Sequence, residues 1–419
     1  EYDNLSASAY LRAKEDYLMG INFSRVLTLR YGPSMSQYLR TKFTVLSVGR
    51  VMTCVLGMVV RREREIRNFV KTPFYRVLGS FQATAKDGTP VLLDAEWKAV
   101  EGSKYFGTPY LYKENGFKER EKAEELIAYL KEEPPLEAKV LSKEKKKETK
   151  NPPLLYNLAE LQNDCSKMFK ISPDETLKVV QELYEKKLVT YPRTDARVLS
   201  TAVAKEIYKN INGLMRYEPM AGFAKEAMDL GSFKGIAKTR YVNDKQITDH
   251  YAIIPTGQGM GNLRGLSPLS EKVYQVVCRR FLSIFYPAAI YQKYSLVLER
   301  KKEQFFASFK VLSEPGYLKV ADVNLAKKSS IQETFSDEKE GNSAQTDEKN
   351  AEIPKVDRTL LLQVLADLKK NAILTIADLK VKEGETSPPK RYTSGSMILA
   401  MENAGQLIED EELRAQIKG

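Results

Sequence analysis

The sequence predicts a multidomain chain of mixed α and β structure, because two kinds of hydrophobic periodicity alternate along it. With 419 residues, the chain is long enough for two or three domains of about 150 residues each. Helical spacing dominates residues 1–72 and 154–285, whereas residues 73–110 and 291–320 alternate as strands do. Since strand segments flank a helical segment, we expect a β domain with a helical unit inserted into it.

The predicted domains follow these changes in pattern. One polar stretch is rich in Lys, Ser, Glu, Asp and Gln and has little to bury, so it is predicted to be disordered. The predicted segments are a helical base in two parts (1–72 and 357–419), a β domain in two parts (73–153 and 286–322), a helical domain (154–285) and the disordered insertion (323–356).

The first region is predicted to be mostly helical. Apolar residues at helical spacing open the chain, and a second helix is predicted from Ser36 to Phe69. That helix ends in the run 61–65, which contains three arginines and two glutamates. Mixed charge of this kind favours a solvated helix face.

The β domain is predicted from two hairpins. Phe74–Thr84 and Pro90–Leu93 flank an Asp-Gly turn, and Tyr294–Leu298 is followed by Phe305–Leu312. Between the hairpins, Lys143–Lys150 carries five lysines and two glutamates. This run could follow a DNA backbone, but its composition favours a solvated loop.

A helix is predicted to lead into the most informative stretch of the sequence. Ser172, Pro173 and Glu175 form a helix start, with a capping serine and a proline at the first position. Apolar positions then share one helical face, at Leu177, Val180, Tyr184 and Leu188. Pro192 stops regular structure and favours extended geometry at Tyr191. The tyrosine is therefore predicted just past the helix end.

Tyr191 and Arg193 form a candidate phosphoryl-transfer pair, on the same side of the chain if the segment is extended. A neighbouring cation favours the phenolate form of a tyrosine, and an arginine can hold a phosphate through paired hydrogen bonds. The alternative is a buried tyrosine with a satisfied hydroxyl beside a surface arginine. Residue types alone favour that alternative.

The composition favours an anionic partner. The net charge is +11 and the pI is about 9.1, which indicates nucleic acid or a membrane surface. The sequence has no apolar run of about 18 residues, so no membrane span is predicted. Its three separated cysteines argue against a disulfide framework or a zinc site and fit a reducing cytoplasm. The single histidine, His250, excludes a multi-histidine metal site.

Four stretches carry a resemblance to a known family. In chain order they are Leu46-Ser47-Val48-Gly49-Arg50-Val51, Tyr191-Pro192-Arg193-Thr194-Asp195, residues 248–256, and Pro388-Pro389-Lys390-Arg391-Tyr392-Thr393. Together they resemble the type IA DNA topoisomerases, particularly the topoisomerase III branch. Met52, Cys54 and Ser394 stand where the family usually has Gln, Pro and an acidic residue. Tyr251 stands where many relatives have a second histidine.

The resemblance implies a fold and roles for individual residues. The implied fold is a toroid in which a tyrosine-bearing helical domain hangs from a hinged β arch. Tyr191 is the implied nucleophile, Arg193 the clamp on the scissile phosphate, and His250 an assisting residue, although a lone histidine is more often structural. The implied DNA-binding residues are Arg50, Thr194, Asp195 and Arg391. Tyr392 could stack a base, but a place in the core is favoured.

The implied activity is ATP-independent strand passage. Single-stranded DNA is cleaved through a 5′-phosphotyrosine intermediate, another strand passes, and the ends are rejoined. The expected cofactor is Mg²⁺, held by a Toprim domain that precedes this chain. The sequence contains no Asp-x-Asp cluster and opens on Glu1 without a Met. We therefore expect a fragment that lacks the Toprim domain and the C-terminal end, holds no metal itself and is inactive alone.

The expected partner is single-stranded DNA, bound by a monomer in the bacterial cytoplasm at the nucleoid, with no membrane partner. A competing hypothesis is a non-catalytic fragment that binds single-stranded DNA. A tyrosine recombinase is a weaker third hypothesis, because that chemistry needs several Arg and His residues in a different order. An Asp-x-Asp cluster encoded upstream in frame would favour the enzyme.

Overall fold

The computed structural model describes residues 2–321, 332–333, 358–407, 411–412 and 414. The chain divides into two compact units. Unit 1 comprises Glu1–Val70, Pro388–Thr393 and Asn403–Gly419, and unit 2 comprises Lys71–Ser387 and Ser394–Glu402. The predicted disordered insertion, 323–356, lies outside the described residues except at 332–333.

Unit 1 is built from helices. Helix α1 (Asp3–Glu15) continues through a π-helical stretch (Asp16–Ile21) into α2 (Asn22–Leu39), and α3 spans Arg50–Arg67. A short 3₁₀ helix covers Ala404–Leu407. The charged run predicted on a solvated face lies in the last turns of α3, within which no residue is fully buried.

The single helix predicted from Ser36 to Phe69 is wrong, because α2 ends where Arg40 adopts a left-handed conformation with φ of 54°. The chain then runs back beside α2 before α3 begins. The Thr28 hydroxyl accepts a hydrogen bond from Leu46 N at 2.9 Å, and the Ser24 hydroxyl accepts one from Val48 N at 2.8 Å. Helical side chains therefore satisfy the backbone of the returning segment.

Unit 2 contains an antiparallel sheet of nine described strands. They are β1 (Pro73–Thr84), β2 (Pro90–Lys98), β3 (Leu111–Lys113), β4 (Gly116–Phe117), β5 (Glu137–Lys150), β6 (Ala289–Arg300), β7 (Glu303–Glu314), β8 (Gln332–Glu333) and β9 (Ile373–Glu385). Hydrogen-bonded neighbours follow the order β2-β7-β6-β5-β9-β1-β4-β3, with β8 beside β7. A further pairing of β1 with β2 closes six of these described strands into a ring.

The sheet encloses a core of large side chains. The first ten residues of β7 alternate between buried and partly buried positions, as expected for a strand with one face inward. Phe81, Trp97 and Phe305 are fully buried. The buried carboxylate of Glu303 accepts hydrogen bonds from Trp97 Nε1 and from Lys104 N, both at 2.7 Å. It is therefore satisfied, as a buried charge must be.

The prediction of a solvated loop at Lys143–Lys150 is wrong, because these residues belong to β5 and pair with β6 as far as Lys150. A long lysine side chain can cover an aromatic surface while its charge reaches water. Lys145 does so above the Tyr294 ring, with Nζ 5.5 Å from the ring centroid. Backbone pairing with β6 thus outweighs the local charge.

The prediction that 357–419 is a helical base is wrong in part. Helix α11 (Arg358–Asp367) packs on the sheet of unit 2, with Leu361 and Leu365 buried in its core. Strand β9 follows and lies between β5 and β1. Leu374 and Ile376 are buried on alternate positions of that strand, which is the period of a strand rather than a helix.

The helices of unit 2 lie mostly between β5 and β6 in sequence. Besides α11, they are α4 (Arg120–Lys131), α5 (Leu158–Phe169), α6 (Pro173–Glu185), α7 (Thr201–Leu214), α8 (Glu218–Leu230), α9 (Pro268–Ser283), α10 (Leu318–Ala321) and α12 (Ser394–Glu402). Helix α12 packs on α5 closely, since a Cβ on Gly395 would lie 3.0 Å from Asn163 Cα. This combination of helices and sheet confirms the predicted mixed α and β fold class.

Membrane insertion finds no support in the helices that the structure describes. None of them combines the length and the apolar character that a membrane span requires.

Candidate active site

Tyr191 follows α6, whose ends are fixed by the local sequence. The Ser172 hydroxyl accepts a hydrogen bond from Glu175 N at 3.1 Å, and Pro173 is the first helical residue. The helix ends at Glu185, and Lys187 adopts a left-handed conformation with φ of 60°. Tyr191 therefore lies just past the helix end, as predicted.

Backbone hydrogen bonds hold the Tyr191 segment against a second family-like motif. Thr190 N donates to Ile254 O at 3.0 Å, and Thr256 N donates to Leu188 O at 3.0 Å. Two stretches that are distant in sequence thus form one small irregular ladder. This pairing brings the motif containing His250 to the tyrosine.

Thr194 ties the same segment to His250. It is 8% exposed, and its hydroxyl donates to His250 O at 2.8 Å and accepts from Ala196 N at 3.1 Å. Leu158 N also donates to Thr194 O at 3.1 Å. A buried hydroxyl that uses both its donor and its acceptor fixes the backbone around it. The Thr194 hydroxyl is thus engaged within the protein.

The rings of Tyr191 and His250 lie against each other. Their centroids are 4.3 Å apart, with the planes at 42°. Tyr184 meets Tyr191 at 5.5 Å and 82°, an edge-to-face arrangement that aromatic pairs favour. Within the described part of the chain, no group hydrogen-bonds to the Tyr191 hydroxyl. Aromatic neighbours hold the ring and leave its hydroxyl available.

Two pockets meet at His250, which lines both. The tyrosine pocket, of about 500 Å³, is lined by Tyr184, Glu185, Lys187, Val189, Thr190, Tyr191, His250, Tyr251, Thr256 and Gln258. The arginine pocket, of about 510 Å³, is lined by Asn157, Leu158, Ala159, Gln162, Arg193, Thr194, Asp195, Thr248, Asp249, His250, Ile398 and Glu402.

The prediction that Tyr191 and Arg193 share one side depended on an extended segment, and the backbone bends at Pro192 between them. The two residues line different pockets that share His250. Pro192 is buried at this bend. The hydrogen bonds of Thr194 then hold the chain after this bend. Arg193 is exposed and lines the arginine pocket.

Carboxylates outnumber cations in the arginine pocket. Its charged lining residues are Arg193, Asp195, Asp249 and Glu402. Thr248 Oγ1 donates to Asp195 Oδ1 at 3.4 Å, and Asn157 Nδ2 donates to Glu402 Oε1 at 2.6 Å. A phosphate deep in this pocket would be repelled by the carboxylates. The charge pattern therefore favours a phosphate at the His250 boundary between the pockets.

Three residues of this site escaped prediction. Tyr184 was expected on the buried face of α6, yet it is 39% exposed in the tyrosine pocket. Asn157 caps α5 and also donates to Asp195 O at 3.1 Å. Its position before an apolar helix signals the cap alone. Glu402 comes from a remote segment, so no local pattern could place it here.

The predicted DNA-binding residues Arg50 and Arg391 belong to unit 1. Arg50 begins α3 and pairs with Asp16 at 3.2 Å. Arg391 forms a two-pronged ion pair with Glu63, at 2.5 and 3.1 Å, and lowers the pKa of that carboxyl. Both arginines are exposed and could exchange these surface pairs for phosphate, since such pairs contribute little to stability.

Tyr392, for which a place in the core was predicted, is half-buried in unit 1, and the guanidinium of Arg62 lies over its ring. The Arg62 carbon Cζ lies 4.3 Å from the Tyr392 ring centroid, and Arg62 Nη2 donates to its hydroxyl at 3.1 Å.

The described residues contain no cluster of side chains suited to a metal ion. Among them, no group of three or more His, Cys, Asp and Glu side chains is arranged to hold a metal ion. The Mg²⁺ site that the family resemblance implies is expected on a preceding Toprim domain and not among these residues.

Comparison with known proteins gives one consistent family. A model of the DNA topoisomerase family matches residues 1–406. DNA topoisomerase 3 of Bacillus subtilis is 33% identical over 416 residues, and that of Bacillus licheniformis is 31% identical over 413 residues. Each match covers 98% of this chain but 48% of the relative. The chain thus spans about half the length of these relatives.

A solved structure supports the same fold. Full-length topoisomerase I from Thermotoga maritima aligns with 94% of this chain and 55% of its own, with a TM-score of 0.52 and 23% sequence identity. Because the family model covers nearly the whole chain and the relatives agree, the chain belongs to the type IA DNA topoisomerase family and is topoisomerase III-like.

Proposed function

We propose that Tyr191 attacks a backbone phosphodiester of single-stranded DNA and becomes linked to the 5′-phosphate. Membership of a DNA topoisomerase family supports this chemistry. The observation that carries the proposal is the position of Tyr191, which lines a pocket while its ring packs on His250. Transient cleavage lets another strand pass before the ends are rejoined.

The proposed step conserves the phosphodiester. A bond forms between Tyr191 Oη and phosphorus while the bond between phosphorus and O3′ breaks. The phenol loses its proton, and the departing O3′ gains one and becomes a 3′-hydroxyl. Because the phosphotyrosine is itself a phosphodiester, the 3′-hydroxyl can reverse the attack without ATP.

Arg193 and His250 are proposed to serve the scissile phosphate from its two sides. The guanidinium of Arg193 can donate paired hydrogen bonds to phosphate oxygens and stabilise their developing charge. A histidine can carry positive charge near neutral pH. The ring contact of 4.3 Å also lets His250 hold the Tyr191 ring in one orientation.

The rest of the strand is proposed to follow cationic side chains. The net charge of +11 favours a polyanion, and Arg50 and Arg391 are the proposed backbone contacts in unit 1. Single-stranded DNA is preferred because its unpaired bases can leave the stack and enter pockets. The chain is proposed to bind as a monomer. Any Mg²⁺ that the reaction needs is proposed to bind outside the described residues.

The test is covalent trapping. Labelled single-stranded oligonucleotide is incubated with Mg²⁺ and with this chain supplemented by the Toprim domain that the resemblance implies, then run on a denaturing gel. A labelled band that migrates with the protein is expected for the wild type. Tyr191→Phe removes the nucleophilic oxygen and should abolish the band, while single-strand binding stays within a few fold.

The matched control is Tyr251→Phe in the same pocket. Burial raises the pKa of Tyr251, so its hydroxyl stays protonated to a higher pH and its phenolate is disfavoured near neutrality. Tyr251→Phe should therefore retain the covalent band. A band that survives in Tyr191→Phe would refute the assignment. Single-strand binding without any band in the wild type would favour the non-catalytic alternative.

A further inference from the structure

We infer that the tyrosine pocket receives a nucleobase of the attacked strand, stacked on Tyr184. This inference rests on the proposed function and adds a subsite to it. It assigns a ligand class, an unpaired base, to a pocket beside the nucleophile.

The first reason is that the Tyr184 ring is partly exposed in this pocket. It lies on the last turn of α6, where Val180, one turn earlier on the same helical face, is fully buried. Tyr184 itself is 39% exposed and lines the pocket. Folding gains little from an aromatic ring left in water, whereas base stacking on such a ring is a common source of affinity for single strands.

The chemistry of the wall is the second reason. Four aromatic residues, Tyr184, Tyr191, His250 and Tyr251, line the same pocket. The volume of about 500 Å³ lies within the range of about 300 to 1,000 Å³ that is usual for small organic ligands. The remaining wall is largely polar and includes the side-chain amide of Gln258, which can both donate to and accept from a base edge.

The rigidity of the wall is the third reason. The Thr256 hydroxyl donates to Lys187 O at 2.5 Å and accepts from Gln258 N at 3.1 Å. Between them, Gly257 adopts φ of 73°, and a Cβ there would lie 2.9 Å from Asn210 Cα. The loop that carries Gln258 is thus fixed to the end of the helix that carries Tyr184, so both walls exist before a ligand arrives.

The distance between the two tyrosines is the fourth reason. Their ring centroids are 5.5 Å apart, and one sugar separates a base from its phosphate. A single nucleotide could therefore place its phosphate at the Tyr191 hydroxyl while its base covers Tyr184. Stacking requires only a π face, so the site should accept any base.

The experiment measures binding of this chain to two strands with the same number of phosphates. One is a thymidine 12-mer, and the other is a 12-mer of abasic tetrahydrofuran units. Wild type should bind the thymidine strand more tightly. Tyr184→Leu keeps an apolar side chain on α6 but removes the flat face. It should weaken thymidine binding about 5- to 150-fold, the range found for one stacked base, and leave abasic binding unchanged.

The matched control is Tyr208→Leu, since Tyr208 is a tyrosine of similar exposure (43%) that lines neither pocket. Both affinities should stay at the wild-type value. An equal loss on both strands, or no loss, in Tyr184→Leu would overturn the base subsite alone. Failure of the wild type to bind either strand would overturn the proposed single-strand binding as well, which separates the two failures.

Discussion

The tyrosine pocket and the arginine pocket are nearly equal in volume, about 500 and 510 Å³, and they share His250, yet their walls differ in kind. The tyrosine pocket is lined by the rings of Tyr184, Tyr191, His250 and Tyr251, and its two charged lining residues, Glu185 and Lys187, are of opposite sign. The arginine pocket holds one guanidinium among three carboxylates. The difference suggests a division of work, in which the uncharged parts of a nucleotide are held on one side and the phosphate is oriented from the other.

The boundary at His250 is where the two environments meet. Thr194 lies in the arginine pocket and bonds to the backbone of His250, while the His250 ring contacts Tyr191 in the tyrosine pocket. A displacement of residues in one pocket should therefore shift residues in the other pocket. Substitutions in either pocket, or at this connection, therefore test whether the two pockets act together.

The largest effect in the arginine pocket is expected from Arg193→Lys. Lysine keeps the charge but loses the planar fork that binds phosphate through paired hydrogen bonds. Cleavage in the trapping assay should fall at least about tenfold more than single-strand affinity does, which is the scale of one lost transition-state contact.

Arg264→Lys serves as the control, because Arg264 is exposed in unit 2 and lines neither pocket. Its cleavage rate should match the wild type. Unchanged cleavage in Arg193→Lys would mean that Arg193 is an ordinary surface residue and that the two pockets do not cooperate.

An intermediate effect is expected from Thr194→Val, which breaks the connection between the pockets. The substitution leaves His250 O and Ala196 N without a buried partner, so the free energy of unfolding should fall by about 1–3 kcal/mol. Denaturant titration measures the loss. Thr248→Val removes a long, exposed hydrogen bond to Asp195 and should change stability by less than about 0.5 kcal/mol. If the two substitutions lowered the free energy of unfolding equally, the hydrogen bonds of Thr194 would not connect the two pockets.

The smallest effect is expected from Asp249→Asn, which removes one carboxylate of the arginine pocket. Single-strand affinity should rise about two- to fivefold at low salt, because one repulsive charge is lost, and the gain should shrink as salt screens it. Asp229→Asn makes the same charge change at an exposed site on α8 outside both pockets. If both substitutions raise affinity equally, the effect is one of net charge and the pocket is not where the strand runs.

Local sequence signals predicted a good part of the fold. The Ser172 cap, the proline after it and the alternation in β7 are each encoded within a few residues, and the structure shows all of them. Strands β5 and β9 were not predicted, because their formation depends on partners that are distant in sequence. Pairing of β9 with β1 joins Pro73 to Glu385, and nothing near either residue reports a partner so far along the chain.

The candidate site divides in the same way. The motifs around Tyr191 and His250 are visible in the sequence through family resemblance, and the structure brings them to a ring distance of 4.3 Å. The bend at Pro192 and the contribution of Glu402 depend on tertiary contacts. A motif can therefore name the reacting residues without showing that Tyr191 and Arg193 line different pockets.

The most direct test of Tyr191 as the nucleophile is to identify the atom to which the DNA becomes attached. The covalent complex is trapped with a short oligonucleotide in the presence of the Toprim domain and Mg²⁺, digested with protease and nuclease, and sequenced by mass spectrometry. We expect a nucleotide attached through its 5′-phosphate to Tyr191, with unmodified Tyr184 and Tyr251. Attachment at either of those two tyrosines, or a 3′-phosphate linkage, would contradict it.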